Sequence, residues 1–186
     1  MQELFIFRHG SYDDRQLNNQ GIEQANSAGD YIAKFLGERL WKFRLNKSEP
    51  NITNEGLLVI NSGVFERTAG FTKIISQNLS KELRDIFYTR QRRILVEEPE
   101  TFPWGENSQS AFSATQKVLD SFENLATIGI IVGHNPIPRM FTKNYLDQGF
   151  TYDGSFDLKS ELKMGNGFHI SKIERKVSFL DNSQRK

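Results

Sequence analysis

Short runs of bulky apolar residues recur along this chain, and segments with the periodicity of amphipathic helices lie between them. The runs are bounded by glycine or polar turn residues, as is typical of buried strands, and they cover residues 4–7, 56–61, 94–96 and 128–132. The intervening segments place apolar side chains three, four and seven residues apart, a spacing that puts them on one helix face. This alternation predicts an α/β fold, a three-layer α/β/α sandwich with a doubly wound, mostly parallel sheet.

The length and punctuation of the chain bear on its domain organisation. A chain of 186 residues fits a single domain over residues 1–186. Residues 37–55 mix aromatic and charged side chains with Pro50 and Asn54, which predicts an irregular insertion in that domain. A flap beside a functional site and a plain structural insertion fit this stretch equally well. Near the C-terminus, residues 167–173 and 176–180 are predicted to form a β-hairpin.

Composition excludes several classes of function. The 24 basic and 23 acidic side chains give a net charge of +1, so we expect neither a nucleic-acid nor a membrane partner. The basic cluster at residues 90–93 is interpreted as a solvated face. No cysteine is present, which rules out disulfides and thiol catalysis and fits a cytoplasmic location. The chain also lacks a membrane-spanning apolar run, and we expect no signal peptide.

Three of the predicted strands are followed by side chains that can handle phosphate. Ligands of open α/β sheets bind beyond the carboxyl ends of the strands. An arginine presents a planar fork of donors that suits phosphate, and an imidazole can be a nucleophile near neutral pH. Read singly, each of these residues is more often an ordinary surface group, but together they predict one phosphoryl pocket. The residues are Arg8 and His9 after the first strand, Ser62 and Arg67 after the second, and Gly133 and His134 after the fourth.

These motifs resemble those of the histidine phosphatase (phosphoglycerate mutase-like) superfamily. Arg8-His9-Gly10 matches its first motif, which follows an N-terminal strand. Gly133-His134 matches the motif of the second pocket histidine, and the following Asn135-Pro136 is similar to the compact, SixA-like phosphohistidine phosphatase branch.

Two other segments match the superfamily in part. Ser62 and Arg67 occupy the ends of a Ser-Ser-Pro-x-x-Arg motif, in which Gly63 and Val64 replace the second serine and the proline. Residues 17–25 resemble its Leu-Thr-x-x-Gly-x-x-Gln-Ala segment, with Asn18 in place of threonine. Asparagine also caps helices well, so this change preserves the helix start.

The resemblance implies a phosphoglycerate mutase-like fold and a role for each matching residue. His9 would form a phosphohistidine intermediate, Arg8 and Arg67 would bind the phosphoryl group and lower the pKa of His9, and His134 would donate a hydrogen bond. Ser62, Asn18 and Gly133 would line the substrate site. Glu106 resembles the position of the general acid, with Glu97, Glu98 and Glu100 as alternatives. No metal and no cofactor is implied.

The predicted activity is that of a metal-independent phosphatase acting on a small phosphorylated metabolite or a phosphohistidine protein. Two alternatives stay open: a phosphosugar mutase of the same fold, and a non-catalytic phosphate- or phosphopeptide-binding module. The chain lacks the Arg-x-Tyr-Gly motif of cofactor-dependent mutases, and a binding module has no need of a neutral histidine beside Arg8. His169, between two apolar residues of the predicted hairpin, is expected to be a structural or solvent-facing residue rather than a third ligand.

Overall fold

The computed structural model describes residues 2–45, 56–62, 65–83, 88–94, 106–121 and 128–182. Strands and helices alternate through these ranges as the sequence predicts. The strands are β1 (Glu3–Arg8), β2 (Tyr12–Asp13), β3 (Gln16–Leu17), β4 (Gly56–Ser62), β5 (Tyr88–Ile94), β6 (Ile128–Gly133), β7 (Thr151–Asp153), β8 (Gly167–Ser171) and β9 (Lys176–Leu180). The helices are α1 (Asn19–Leu45), α2 (Glu66–Leu83), α3 (Glu106–Ser121) and α4 (Pro136–Asp147).

Within the described ranges, one seven-stranded sheet forms the centre of the fold, in the order β5-β4-β6-β1-β8-β9-β7. The strands from β5 to β1 pair in parallel, whereas β8 runs antiparallel to both β1 and β9. Strand β1 is buried on both faces, and its residues 4–7 are at most 1% exposed. Two-sided burial explains why this strand reads as an uninterrupted apolar run. The mostly parallel sheet and the C-terminal hairpin β8–β9 are confirmed.

The helices cover both faces of this sheet. Alternate side chains of β1 point to opposite sides: Phe5 and Phe7 pack in a cluster with α1 and α2, while Leu4 and Ile6 pack with α3 and α4. The predicted three-layer α/β/α arrangement is therefore confirmed. None of the described helices has the length and apolar character needed to cross a membrane.

Helix α1 differs from its prediction at both ends. The helical spacing of Ile22 with Ala25, Ala28 and Ile32 in the sequence predicts that Ile22 lies on the inner face, but it is 40% exposed. The buried stripe runs instead through Gly21, Ala25, Ala28, Ile32 and Leu36, and Ile22 lies about 100° around the helix from Gly21. Residues 37–45, predicted to begin an irregular insertion, continue α1 to Leu45, because this stretch contains no proline and has several good helix formers. Residues 46–55 lie outside the described residues.

Other element boundaries also needed tertiary structure. The third strand was predicted at residues 94–96, but β5 spans Tyr88–Ile94, and residues 95–96 are outside the described part. The basic cluster 90–93 therefore lies on a strand at the sheet edge, where charged residues discourage pairing with other chains. The sequence also predicts loops at the polar residues 11–19 and beyond Phe150 up to Lys163, but these stretches contain short strands, the hairpin β2–β3 and the strand β7.

The order of the strands creates a crevice between β1 and β6. From β1 the chain passes through α1 to β4 and then outward to β5, before α3 returns it to β6, between β4 and β1. From β6 it continues through α4 toward the other edge of the sheet. Adjacent strands whose connections leave in opposite directions mark the ligand site of open α/β sheets. Arg8 pairs with Gly133, and Gly133 pairs with Ser62, so the three strands end at the same level.

Candidate active site

Two histidines meet at this crevice. His9 follows β1 and His134 follows β6, and the parallel register of Arg8 with Gly133 brings the next residue of each strand together. Their ring centroids are 4.9 Å apart with an edge-to-face orientation. Both side chains are buried. The predicted pair is therefore in contact, although 125 positions separate the two residues in the sequence.

The main chain and ring of His9 are fixed by hydrogen bonds. Its N–H donates to the carbonyl of Gly133 at 3.0 Å, and its carbonyl accepts from the N–H of Gly165 at 3.0 Å. The ring Nδ1 lies 2.8 Å from the carbonyl oxygen of Gly10. Because a carbonyl can only accept, Nδ1 carries the proton, and the neutral ring keeps its lone pair on Nε2.

Both imidazoles are held in the neutral form. The pKa of His9 is lowered to about 3, and burial has the largest effect. The hydrogen bond to Gly10 raises the pKa, whereas the charges of Arg67 and Arg8 lower it. Burial likewise lowers the pKa of His134 to about 3, with His9 and the two arginines adding to the effect. The arginines thus act in the predicted direction, but desolvation outweighs them.

Arg67 completes the pocket from the start of α2. Its side chain is buried, and its guanidinium carbon lies 4.2 Å from the ring centroid of Tyr12 and 4.4 Å from that of Phe65. The same two rings contact the histidines, Tyr12 at 5.4 Å from His9 and Phe65 at 5.2 Å from His134. Cation–π contacts of this kind hold a guanidinium in place. Sequence analysis missed both aromatic residues, because nothing local indicates which cation a ring will face.

Arg8 is anchored through one of its nitrogens. Nη1 forms an ion pair with Glu161 Oε1 at 2.7 Å and also donates to the carbonyl of Leu162. Its Nε is buried and has no hydrogen-bond partner among the described residues. The protein thus holds one side of the Arg8 guanidinium through Nη1.

The segment from Glu161 to Asn166, just before β8, borders the site. The main-chain N–H of Arg8 donates to the carbonyl of Asn166 at 2.9 Å. This hydrogen bond lies next to the one from the Gly165 N–H to the His9 carbonyl. Gln24 ties this segment to the loop after β1, since its Nε2 donates to Met164 and its Oε1 accepts from Ser11. The positive φ of Gly165, 79°, reflects a turn that favours glycine, and this glycine is the one local signal in the segment.

The other predicted site residues occupy different positions. Gly133 supplies the carbonyl that holds His9, and Ser62 ends β4 beside it, with its side chain outside the described part. Asn18 caps α1, where its Oδ1 accepts from the Gly21 N–H at 3.0 Å. Glu106 begins α3, but its side chain is not among those described, and Glu97, Glu98 and Glu100 lie outside the described residues. Their predicted roles stay predictions.

His169 lies away from the pocket. It sits on β8 opposite Phe5, stacks on that ring at 4.4 Å, and contacts Glu3 Oε2 through Nε2 at 2.9 Å. The side chain is buried, which fits the structural alternative of the sequence prediction and not the solvent-facing one.

Comparison with solved structures gives chains with a similar course, and one of them comes from Escherichia coli. No family model and no curated protein matches this sequence. The chain is similar to a candidate alpha-ribazole-5'-P phosphatase from Escherichia coli, with 13% sequence identity and a TM-score of 0.48. The match covers 96% of this chain and 94% of the other.

Proposed function

We propose that this protein is a metal-independent phosphatase that hydrolyses its substrate through a phosphohistidine on His9. The observation that supports this most strongly is the state of His9: a buried, neutral ring with its proton on Nδ1, beside His134 and in the field of two guanidinium groups. A phosphoryl-transfer nucleophile needs an uncharged imidazole, and the phosphoryl group needs fixed cations.

The first step is attack of the Nε2 lone pair on phosphorus. A P–N bond forms, the bond from phosphorus to the leaving group breaks, and the leaving group takes up a proton. The imidazole becomes positively charged, and the Gly10 carbonyl that accepts from Nδ1 stabilises this charge. We assign Arg8, Arg67 and His134 as hydrogen-bond donors that stabilise the equatorial oxygens of the in-line transition state.

The second step is hydrolysis of the phosphoenzyme. Water attacks phosphorus and gives one proton to the group that protonated the leaving group; the P–N bond breaks, and inorganic phosphate leaves while His9 returns to its neutral form. The donor of the leaving-group proton stays open: Glu106 is the proposed acid, with Glu97, Glu98 and Glu100 as alternatives. The same proposal includes a small phosphorylated metabolite or a phosphohistidine protein as the substrate. It also includes membership of the phosphoglycerate mutase-like superfamily in its SixA-like branch, and a cytoplasmic location.

The test is turnover of p-nitrophenyl phosphate in excess EDTA, together with quenching in alkaline detergent and isolation at alkaline pH of the enzyme labelled from ³²P-labelled p-nitrophenyl phosphate. We expect wild-type turnover and an alkali-stable label, and for His9→Ala we expect loss of the label and of activity by at least about 10³-fold. Normal turnover by His9→Ala would exclude the proposed nucleophile. Dependence on a bisphosphorylated primer would identify a mutase, and phosphate binding without a label would identify a binding module.

A further inference from the structure

Asn135 stands at a helix start but does not cap it. It is the N-cap residue of α4, with φ −45° and ψ −40°, and its side chain makes no capping hydrogen bond to the described first turn. Asparagine is a favoured cap because its oxygen satisfies N–H groups of that turn. Here Pro136 and Pro138 have no N–H to satisfy, and the N–H of Ile137 donates to the carbonyl of His134 at 3.0 Å. The Asn135 side chain is thereby released for another contact.

That contact lies across the site. Asn135 Oδ1 accepts a hydrogen bond from the N–H of Leu162 at 2.9 Å, and the bond is buried. The carbonyl of the same Leu162 accepts from Arg8 Nη1. Leu162 therefore connects the side chain of Asn135, which is next to His134, to the guanidinium of Arg8, which is next to His9.

The relative strength of the contacts decides which residue controls Arg8. Glu161 also binds Nη1, but its side chain is 69% exposed, and exposed ion pairs are weak. Asn135 is 7% exposed and Leu162 is fully buried, so water cannot replace their hydrogen bond without a cost. A second contact, from Arg139 Nε to the carbonyl of Leu158 at 2.9 Å, keeps the adjoining loop on α4.

We propose that Asn135 is a positioning residue for Arg8: through Leu162 it holds Nη1 of the arginine against the protein and so fixes where the guanidinium lies in the site. This inference rests on the proposed function for its catalytic consequence. The guanidinium is a rigid planar group, so an anchored Nη1 restricts the positions of its other donors. Loss of the Asn135 acceptor lets the Leu162 carbonyl shift and releases the guanidinium.

The first set of variants separates positioning from general stability. Asn135→Ala is expected to raise KM for p-nitrophenyl phosphate and Ki for orthophosphate together by about 5- to 10-fold. The matched control is Asn78→Ala, which removes the hydrogen bond from Asn78 Nδ2 to Asn26 Oδ1 between α1 and α2. This control should lower Tm without changing Ki.

A double-mutant cycle with Arg8→Ala gives the decisive measurement. If Asn135 acts through Arg8, Asn135→Ala should change the orthophosphate Ki by less than about 2-fold in the Arg8→Ala background. An undiminished effect in that background would overturn the inference and place the effect elsewhere, for example at His134.

The outcome is distinguishable from failure of the proposed function. If wild type lacks turnover, the same cycle is measured on orthophosphate binding by calorimetry, where the non-additive result still supports the inference. Wild-type turnover with an unchanged Ki in Asn135→Ala would overturn the inference and leave the proposed function standing. Absence of both turnover and orthophosphate binding would overturn both.

Discussion

At the residue scale, His9 and His134 combine burial with a neutral charge. Burial lowers the pKa of each folded histidine to about 3, whereas an unfolded histidine has a pKa near 6.5. Between these values the unfolded chain binds protons that the folded protein does not bind. The stabilising effect of the neutral rings is therefore present above about pH 6.5 and is lost as the pH falls toward 3.

This difference predicts how stability depends on pH. Between pH 7 and pH 5, wild type should lose about 2 kcal/mol more unfolding free energy than His9→Gln, because glutamine does not titrate. Urea denaturation at the two pH values measures the loss, and His134→Gln gives an independent comparison. Equal losses in wild type and both variants would show that these rings titrate normally in the folded protein.

At the element scale, the start of α1 packs directly on the loop that follows β1. A Cβ on Gly21 would lie 2.0 Å from the main-chain oxygen of Ser11, and one on Gly10 would lie 2.7 Å from the Cα of Gly21. The two backbones approach this closely because both positions are glycine. The carbonyl oxygen of Gly10 also accepts the hydrogen bond from Nδ1 of His9. The close contact between Gly10 and Gly21 therefore links the start of α1 to the His9 ring.

We predict opposite effects for two glycine substitutions in α1. Gly21→Ala should destabilise the protein by about 2 kcal/mol or more and reduce kcat/KM, because the backbone next to His9 must move. Gly37→Ala is the matched control: it is exposed, no described atom lies within 4 Å of its Cβ, and alanine favours helix by about 0.5–1 kcal/mol. Thermal unfolding and steady-state kinetics measure both, and similar effects of the two changes would contradict the close packing at Gly21.

At the scale of the whole molecule, β1 connects two polar clusters at opposite ends of the sheet. Its carboxyl end leads into the pocket, while Glu3 at its other end contacts His169 at 2.9 Å and Ser171 at 3.3 Å. These three side chains are buried. When one partner of a buried polar cluster is removed, the remaining charged or polar atoms stay buried without their hydrogen-bond partner, which destabilises the folded protein.

The two clusters should respond differently to mutation. His169→Ala is expected to destabilise the protein by about 3 kcal/mol, yet to leave kcat and KM of the folded protein within about 2-fold of wild type. Chemical denaturation and kinetics below the unfolding transition test both parts. A loss of kcat of tenfold or more would assign His169 a role in the site, against the sequence prediction.

The sequence by itself determined the local elements and the candidate residues at the strand ends. The apolar run of β1, the helical spacing of α1 and the turn glycines act over a few residues, so their patterns can be read directly. The sequence also predicts that β1, β4 and β6 end side by side, because the carboxyl ends of parallel strands lie at the same edge of a sheet. Element boundaries such as those of β5 and α1 were less accessible, because edge position and packing decide where a helix or strand stops.

Only the tertiary structure decided the strand order, the environment of Arg67 and the anchoring of Arg8. Glu161 lies 153 positions from its partner, and Tyr12 on β2 and Phe65 just before α2 face one guanidinium. The neutral state of His9 likewise follows mainly from desolvation, which depends on every group packed around the ring. Periodicity and motifs act locally along the chain, whereas burial and contact depend on distances in space that exist only once the chain has folded.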